Sequence, residues 1–158
     1  MEVKVQLMKL DTPSSNGRIY SKESIQEAIE NFNNRKIKGG SLGLQPTNGL
    51  FEPELNIGEL SHTFENVRIE DDKVLADMKI LDTPQGQNVK ALLESDIKLA
   101  MAPRLQIDEQ QKVDEEGNPI LDENGQPIIE TKVFDLISCD IVQDNQKAFE
   151  GNTIIMGD

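Results

Sequence analysis

Strand-like runs of period two dominate this chain, and only two helix-start signals interrupt them; that order limits the folds it can adopt. Residues 2–9 place Val3, Val5 and Leu7 on one face, the pattern of a half-buried strand. Strand patterns recur over Thr63–Glu70 and Lys73–Leu81, joined across Asp71-Asp72, and again over 97–107 and 131–143. Pro103 falls inside the fourth of these and marks an edge, a bulge or an irregular point. The first helix should start at Ser21, whose hydroxyl can cap free amides. Glu23 suits the positive end of the dipole, and Ile25, Ala28, Ile29 and Phe32 form a buried stripe that ends near Asn33-Asn34. The second starts at Thr83-Pro84, with Val89, Leu92 and Leu93 as its apolar side. Residues 39–57, rich in Gly, Pro and Asn, read as a long loop, and loops of that length in a compact domain are often functional. Strands with two helices inserted among them predict an α+β chain, mainly antiparallel, with peripheral helices.

The 158 residues fit one domain, 1–158, able to bury about 70% of the surface its unfolded chain exposes, so no disulfide or metal staple is needed. The single cysteine, Cys139, cannot form an intrachain disulfide; a reducing compartment is expected and a Cys-rich zinc site is excluded. With no apolar run of spanning length and no hydrophobic leader at its start, the chain is expected in the cytoplasm, without a membrane partner. Its 29 acidic and 16 basic side chains give a formal net charge of −13, which nucleic-acid phosphates would repel. Much of the excess acid lies in 108–130, where Asp114-Glu-Glu-Gly-Asn-Pro-Ile-Leu121 is echoed by Asp122-Glu-Asn-Gly-Gln-Pro-Ile-Ile129. The spacing lacks the ligand pattern of a calcium loop, so we expect a projecting, solvated β-excursion and no metal.

The one histidine, His62, follows Gly58-Glu59-Leu60-Ser61. It is either a structural histidine hydrogen-bonded at a strand end or the general base of a hydrolase, since imidazole titrates near neutrality. Three further blocks accompany it: Asn16-Gly17-Arg18-Ile19-Tyr20 before the first helix, Leu99-Ala100-Met101-Ala102-Pro103-Arg104, and Ser138-Cys139-Asp140-Ile141-Val142 followed by Ala148. In this order, across residues 14–148, they resemble the prohead (capsid maturation) proteases of tailed phages, serine peptidases related in fold to herpesvirus assemblin. The family's Asn-Gly-Arg-x-Tyr, Gly-Glu-x-x-His, Gly-Val-Ser-Ser-Arg-Gly and Asp-x-Val…Ala blocks are the ones matched. Each block is weakly specific and the ordered set far more so.

The resemblance implies a barrel-like β core, His62 as base, Asp140 as the residue that orients it, and Asp135 in reserve. In a regular strand 135 and 140 face opposite sides, so both can serve only if a bulge intervenes. Arg104, two residues beyond 102 on the same strand face, is a candidate to support the oxyanion, and Glu59, three before His62, to support the base; a salt bridge and a solvated acid are the plainer alternatives. The resemblance implies no cofactor. Substrates would be scaffold and capsid proteins, cut after Glu in an aliphatic-x-Glu context inside the immature capsid in the host cytoplasm, and self-association is possible. Ile25-Gln26-Glu27 and Leu92-Leu93-Glu94 are such triplets on helices, whereas Ile128-Ile129-Glu130 lies on the excursion and is the self-cleavage candidate. The departures are specific. Ala102 stands where the nucleophilic serine should be, Pro103 and Leu105 replace the second Ser and the last Gly, and Asp144-Asn145 replace a Pro-Ser. A methyl group cannot attack a carbonyl. Position 102 is either a nucleophile replaced to silence a protease or the mark of a natural, non-catalytic capsid-assembly or scaffold-binding relative.

Overall fold

The computed structural model describes residues 2–15, 18–43 and 57–155. Six strands and two helices occur among them: β1 (Glu2–Lys9), α1 (Lys22–Asn33), β2 (Gly39–Ser41), β3 (Leu60–Glu70), β4 (Lys73–Ile80), α2 (Pro84–Glu94), β5 (Leu99–Gln111) and β6 (Ile129–Gln143). Both helix starts follow from their caps. The Ser21 hydroxyl accepts the Ser24 amide while the Ser24 hydroxyl accepts the Ser21 amide, and Thr83 Oγ1 accepts the Gly86 amide with Pro84 in the first turn. The stretch read as a 39–57 loop opens with β2 and closes with a 3₁₀ turn, Ile57–Glu59. Its middle, 44–56, and the Asn16-Gly17 turn lie outside the described residues.

The strands form an antiparallel sheet in the order β1-β4-β3-β2 and a second antiparallel pair, β5-β6. The two join along two seams. On one, Leu42 after β2 bridges Ile141 of β6 in parallel. On the other, the segment after β6 returns to bond β5, with Met101 N–H donating to Asn152 O at 2.9 Å and Ile154 N–H to Leu99 O at 2.8 Å. The result is a curled, barrel-like core with two helices against it, as expected from sequence. Inside lie Val5, Leu7, Met8, Phe64, Val74, Met78, Met101, Leu136 and Ile141; the α1 stripe of Ile25, Ala28, Ile29 and Phe32 packs onto them, with Phe32 against Phe64 at 6.3 Å.

Bulges explain where strict alternation breaks. A register shift between Gln6 and Met8 against β4 lets Leu7 and Met8 both point inward. On β6, shifts between Ser138 and Leu136 and between Asp135 and Val133 re-aim the side chains that follow. Beyond Gln111 the hairpin ends in a tip built on the octapeptide repeat. Ile120 N–H donates to Lys112 O, Ile128 N–H to Ile120 O and Lys112 N–H to Ile128 O, at 2.8 to 3.0 Å, closing a ring with one member every eighth residue. Asp114 Oδ1 accepts the amides of Glu116 and Asn118, and Asp122 Oδ1 those of Asn124 and Gln126, so both acids make turns. Among the described residues no helix is long and apolar enough to cross a membrane.

Candidate active site

His62 is the third residue of β3, fully buried, pointing the same way as Phe64, whose ring meets its edge at 5.1 Å. Nε2 lies 2.7 Å from the Cys139 carbonyl oxygen and Nδ1 lies 2.6 Å from Ser61 Oγ. A carbonyl can only accept, so Nε2 carries the proton, and Nδ1 accepts from the Ser61 hydroxyl. Burial agrees with this neutral form, holding His62 down at about 4 against the pull of the Cys139 carbonyl. Cys139 O faces away from β5, toward β2. The imidazole therefore fills a place in the seam that a strand amide would otherwise take.

β2 is thin enough to allow this. A Cβ on Gly40 would lie 2.1 Å from Cys139 O and 2.9 Å from Asp140 Oδ1, so only glycine lets β2 cross β6 here. The next residue, Ser41, donates its amide to Asp140 Oδ1 at 3.0 Å, with its hydroxyl at 3.4 Å. The Ser138 hydroxyl lies at 3.5 Å from the same oxygen.

Ala102 stands directly opposite Asp140 in the β5–β6 ladder, and Arg104 opposite Ser138. Arg104 Nη2 donates to Asp140 Oδ2 at 3.2 Å; the arginine side chain is 17% exposed and the aspartate wholly buried. Burial pushes the Asp140 carboxyl up, while the Ser41 amide and Arg104 pull it back. Ala102, Arg104 and Asp140 thus share one face, and Ser41 and Ser138 join them; Ser138 heads a matched block without a role assigned to it, and Ser41 lay in no block. Gly39-Gly40-Ser41 is the signal that a closer reading had available, two glycines before a side chain that supports a carboxylate.

The remaining candidates sit elsewhere. The bulge at Ile137 does put Asp135 on the same face as Asp140, opposite Gln106. Gln106 is four residues beyond Ala102, about 13 Å along the strand, and Asp135 is ion-paired with Arg35 past the end of α1. Glu59 is exposed on the 3₁₀ turn before β3. Among the described residues no carboxylate meets either ring nitrogen of His62. Cys139 contributes its carbonyl; burial pushes its thiol well up, so the sulfur is no thiolate. The triplets Ile25-Gln26-Glu27 and Leu92-Leu93-Glu94 are helical, while Ile129 and Glu130 begin β6, paired with Gln111 and Gln110.

No protein-family model matches the chain, and no curated protein matches it in sequence. Among solved structures, the bacteriophage T4 capsid assembly protease, gp21, is similar over 90% of this chain and 81% of that one, with a TM-score of 0.61 at 13% identity. The chain therefore has the fold of a phage capsid assembly protease.

Proposed function

We propose that this chain is a single-domain serine-type peptidase of phage capsid maturation, acting on scaffold and capsid proteins inside the immature capsid, with its nucleophile position occupied by alanine. The observation that carries the reading is the pairing of Ala102 with Asp140, backed by Arg104, on a fold shared with a capsid assembly protease. A serine at 102 would attack the scissile carbonyl; His62 would take its proton and return it to the leaving amine. For that, the imidazole must give up the Cys139 carbonyl and turn a free nitrogen to residue 102, with Asp140 released in part from Arg104 to orient it.

A second reading is favoured by the contacts of His62, both of whose ring nitrogens are satisfied. In it the chain is a naturally silent relative that keeps the fold to bind scaffold or capsid segments. Ala102→Ser separates the two. On the first reading the variant hydrolyses Glu-containing scaffold or capsid peptides and is labelled by a serine-directed phosphonate. On the second it binds those peptides and does neither. A variant that neither binds nor cleaves sinks both.

A further inference from the structure

Ser61, the residue before His62, interrupts the pairing of β2 with β3. Gly40 pairs with His62 and Ser41 with Leu60, so Ser61 is an extra residue on β3. Neighbouring side chains on a regular strand point to opposite faces, and a bulge re-aims them. Here the Ser61 hydroxyl reaches the seam and meets Nδ1 of its own neighbour at 2.6 Å. The bulge is held from behind. Ser61 O accepts the Leu81 amide at 3.0 Å, and a Cβ on Gly86, in the first turn of α2, would stand 2.9 Å from that oxygen. Ser61 is wholly buried, and a second acceptor, the Gly40 carbonyl, lies 3.4 Å from the same Oγ.

We infer that Ser61 is a positioning residue for His62, its single hydroxyl proton deciding which ring nitrogen is free to act as base. A hydroxyl has one proton to give and can also accept. Given to Nδ1, that proton leaves the ring's own proton on Nε2, latched to Cys139 O. Given to Gly40 O, it leaves Oγ to accept from Nδ1–H. Nε2 then carries a lone pair, which the Cys139 carbonyl repels. Cys139 precedes Asp140, the ladder partner of Ala102, so Nε2 has only neighbouring positions of one ladder to cross. Water brings the proton to Nδ1 and takes the one from Nε2. When a serine oxygen at 102 bonds the scissile carbon, its proton passes to Nε2 and from there to the leaving amine, while Nδ1–H stays on Ser61. A carboxylate takes this part in a Ser-His-Asp triad, and among the described residues none meets Nδ1. Asp140 then answers the charge that the ring gains, and Ser61 fixes the tautomer. The catalytic role rests on the peptidase reading; the hydrogen bonds do not.

The test adds Ser61 variants to the Ala102→Ser chain and follows inactivation by diisopropyl fluorophosphate, in which the serine oxygen bonds phosphorus, fluoride leaves and His62 takes the proton. Ser61→Ala is expected to slow the inactivation step by about a hundredfold or more, with reagent affinity and circular dichroism unchanged. Ser61→Thr keeps the hydroxyl and should stay within about tenfold of the parent. If Ser61→Ala does not fold, Ser61→Cys, a weaker donor of similar shape, takes its place. In the chain as it stands, with its single histidine, imidazole ¹⁵N spectra should show Nδ1 moving downfield in Ser61→Ala as it loses its donor. Inactivation at the parent's rate without the hydroxyl, a loss in affinity instead of rate, a folded threonine variant no better than alanine, or an Nδ1 resonance that stays in place each overturn the proposal. An Ala102→Ser chain that is never labelled sinks the peptidase reading and the catalytic part of Ser61 with it. One that is labelled but indifferent to Ser61 sinks this proposal alone.

Discussion

His62 is held as a neutral, buried imidazole with both ring nitrogens engaged. The residue type and its neighbours left a structural histidine and a general base both open, because sequence cannot say what faces a ring nitrogen. The contacts are those of a neutral imidazole: Nε2–H on Cys139 O, Nδ1 on Ser61 Oγ, and burial on all sides. This has a pH consequence with a definite sign. The folded value of about 4 lies below the ordinary 6.5, so between them the unfolded chain binds a proton that the folded one does not. Stability from this group is complete above about pH 6.5 and falls as the pH drops toward 4, by at most about 1.4 kcal/mol per pH unit. Asp140, shifted up, works the other way at the acid end, because the folded state then holds its proton more tightly. Urea midpoints from pH 7 to 4.5 for the wild type and His62→Gln isolate the histidine: the extra acid sensitivity should vanish in the variant. Imidazole NMR should show the Nε2–H tautomer throughout. A His62 that titrates near 6.5 would refute this contact set.

At the scale of elements, the sequence was most readable where one segment decides its own structure. The caps at Ser21 and Thr83 and the stripe on α1 are local facts, and both helices begin where they were expected. β3 to β6 also fall on their runs of alternation. β2 was hidden because three residues, Gly39-Gly40-Ser41, have no apolar pattern and exist as a strand only through β3 and β6. Asn152 was equally invisible, one polar residue in a tail. It is wholly buried: Nδ2 donates to Leu7 O at 2.7 Å and to Met101 O at 3.0 Å, and Oδ1 accepts Gln6 Nε2 at 2.9 Å. Leu7 is the residue the β1 bulge leaves without a partner on β4, so one amide replaces the ladder between β1 and β5. Asn152→Asp keeps the shape but turns two donors into an acceptor facing two carbonyls. Thermal or urea unfolding should record a loss of about 3 kcal/mol or more, and Asn152→Ala a loss of about 2. A loss below about 0.5 kcal/mol for the aspartate would mean that this seam is held by something else.

For the whole molecule, the two seams share a design: each is closed by a buried polar side chain, His62 on one and Asn152 on the other, doing the work of missing strand pairs. The mainly antiparallel core with peripheral helices could be read from strand count and order. Closure was implied by the family resemblance alone, because in the residues themselves it depends on partners far apart in the chain, such as Gln6 and Asn152. The acidic tip stands apart from this scheme. Its repeat was legible as turns, yet the ring of bonds among Lys112, Ile120 and Ile128 was not, since each bond joins residues at least eight apart and no local pattern pairs them. No residue between 108 and 132 belongs to the buried core, among those described. The tip satisfies its own amides through that ring and through Asp114 and Asp122, so its structure is bought locally. Replacing 113–127 with an Asn-Gly turn, which suits a two-residue hairpin, should therefore leave the urea midpoint within about 1 kcal/mol of the full chain while making the net charge less negative. A loss above about 3 kcal/mol would show that the hairpin end is coupled to the core along β5 and β6 and that tip and barrel are not energetically separate.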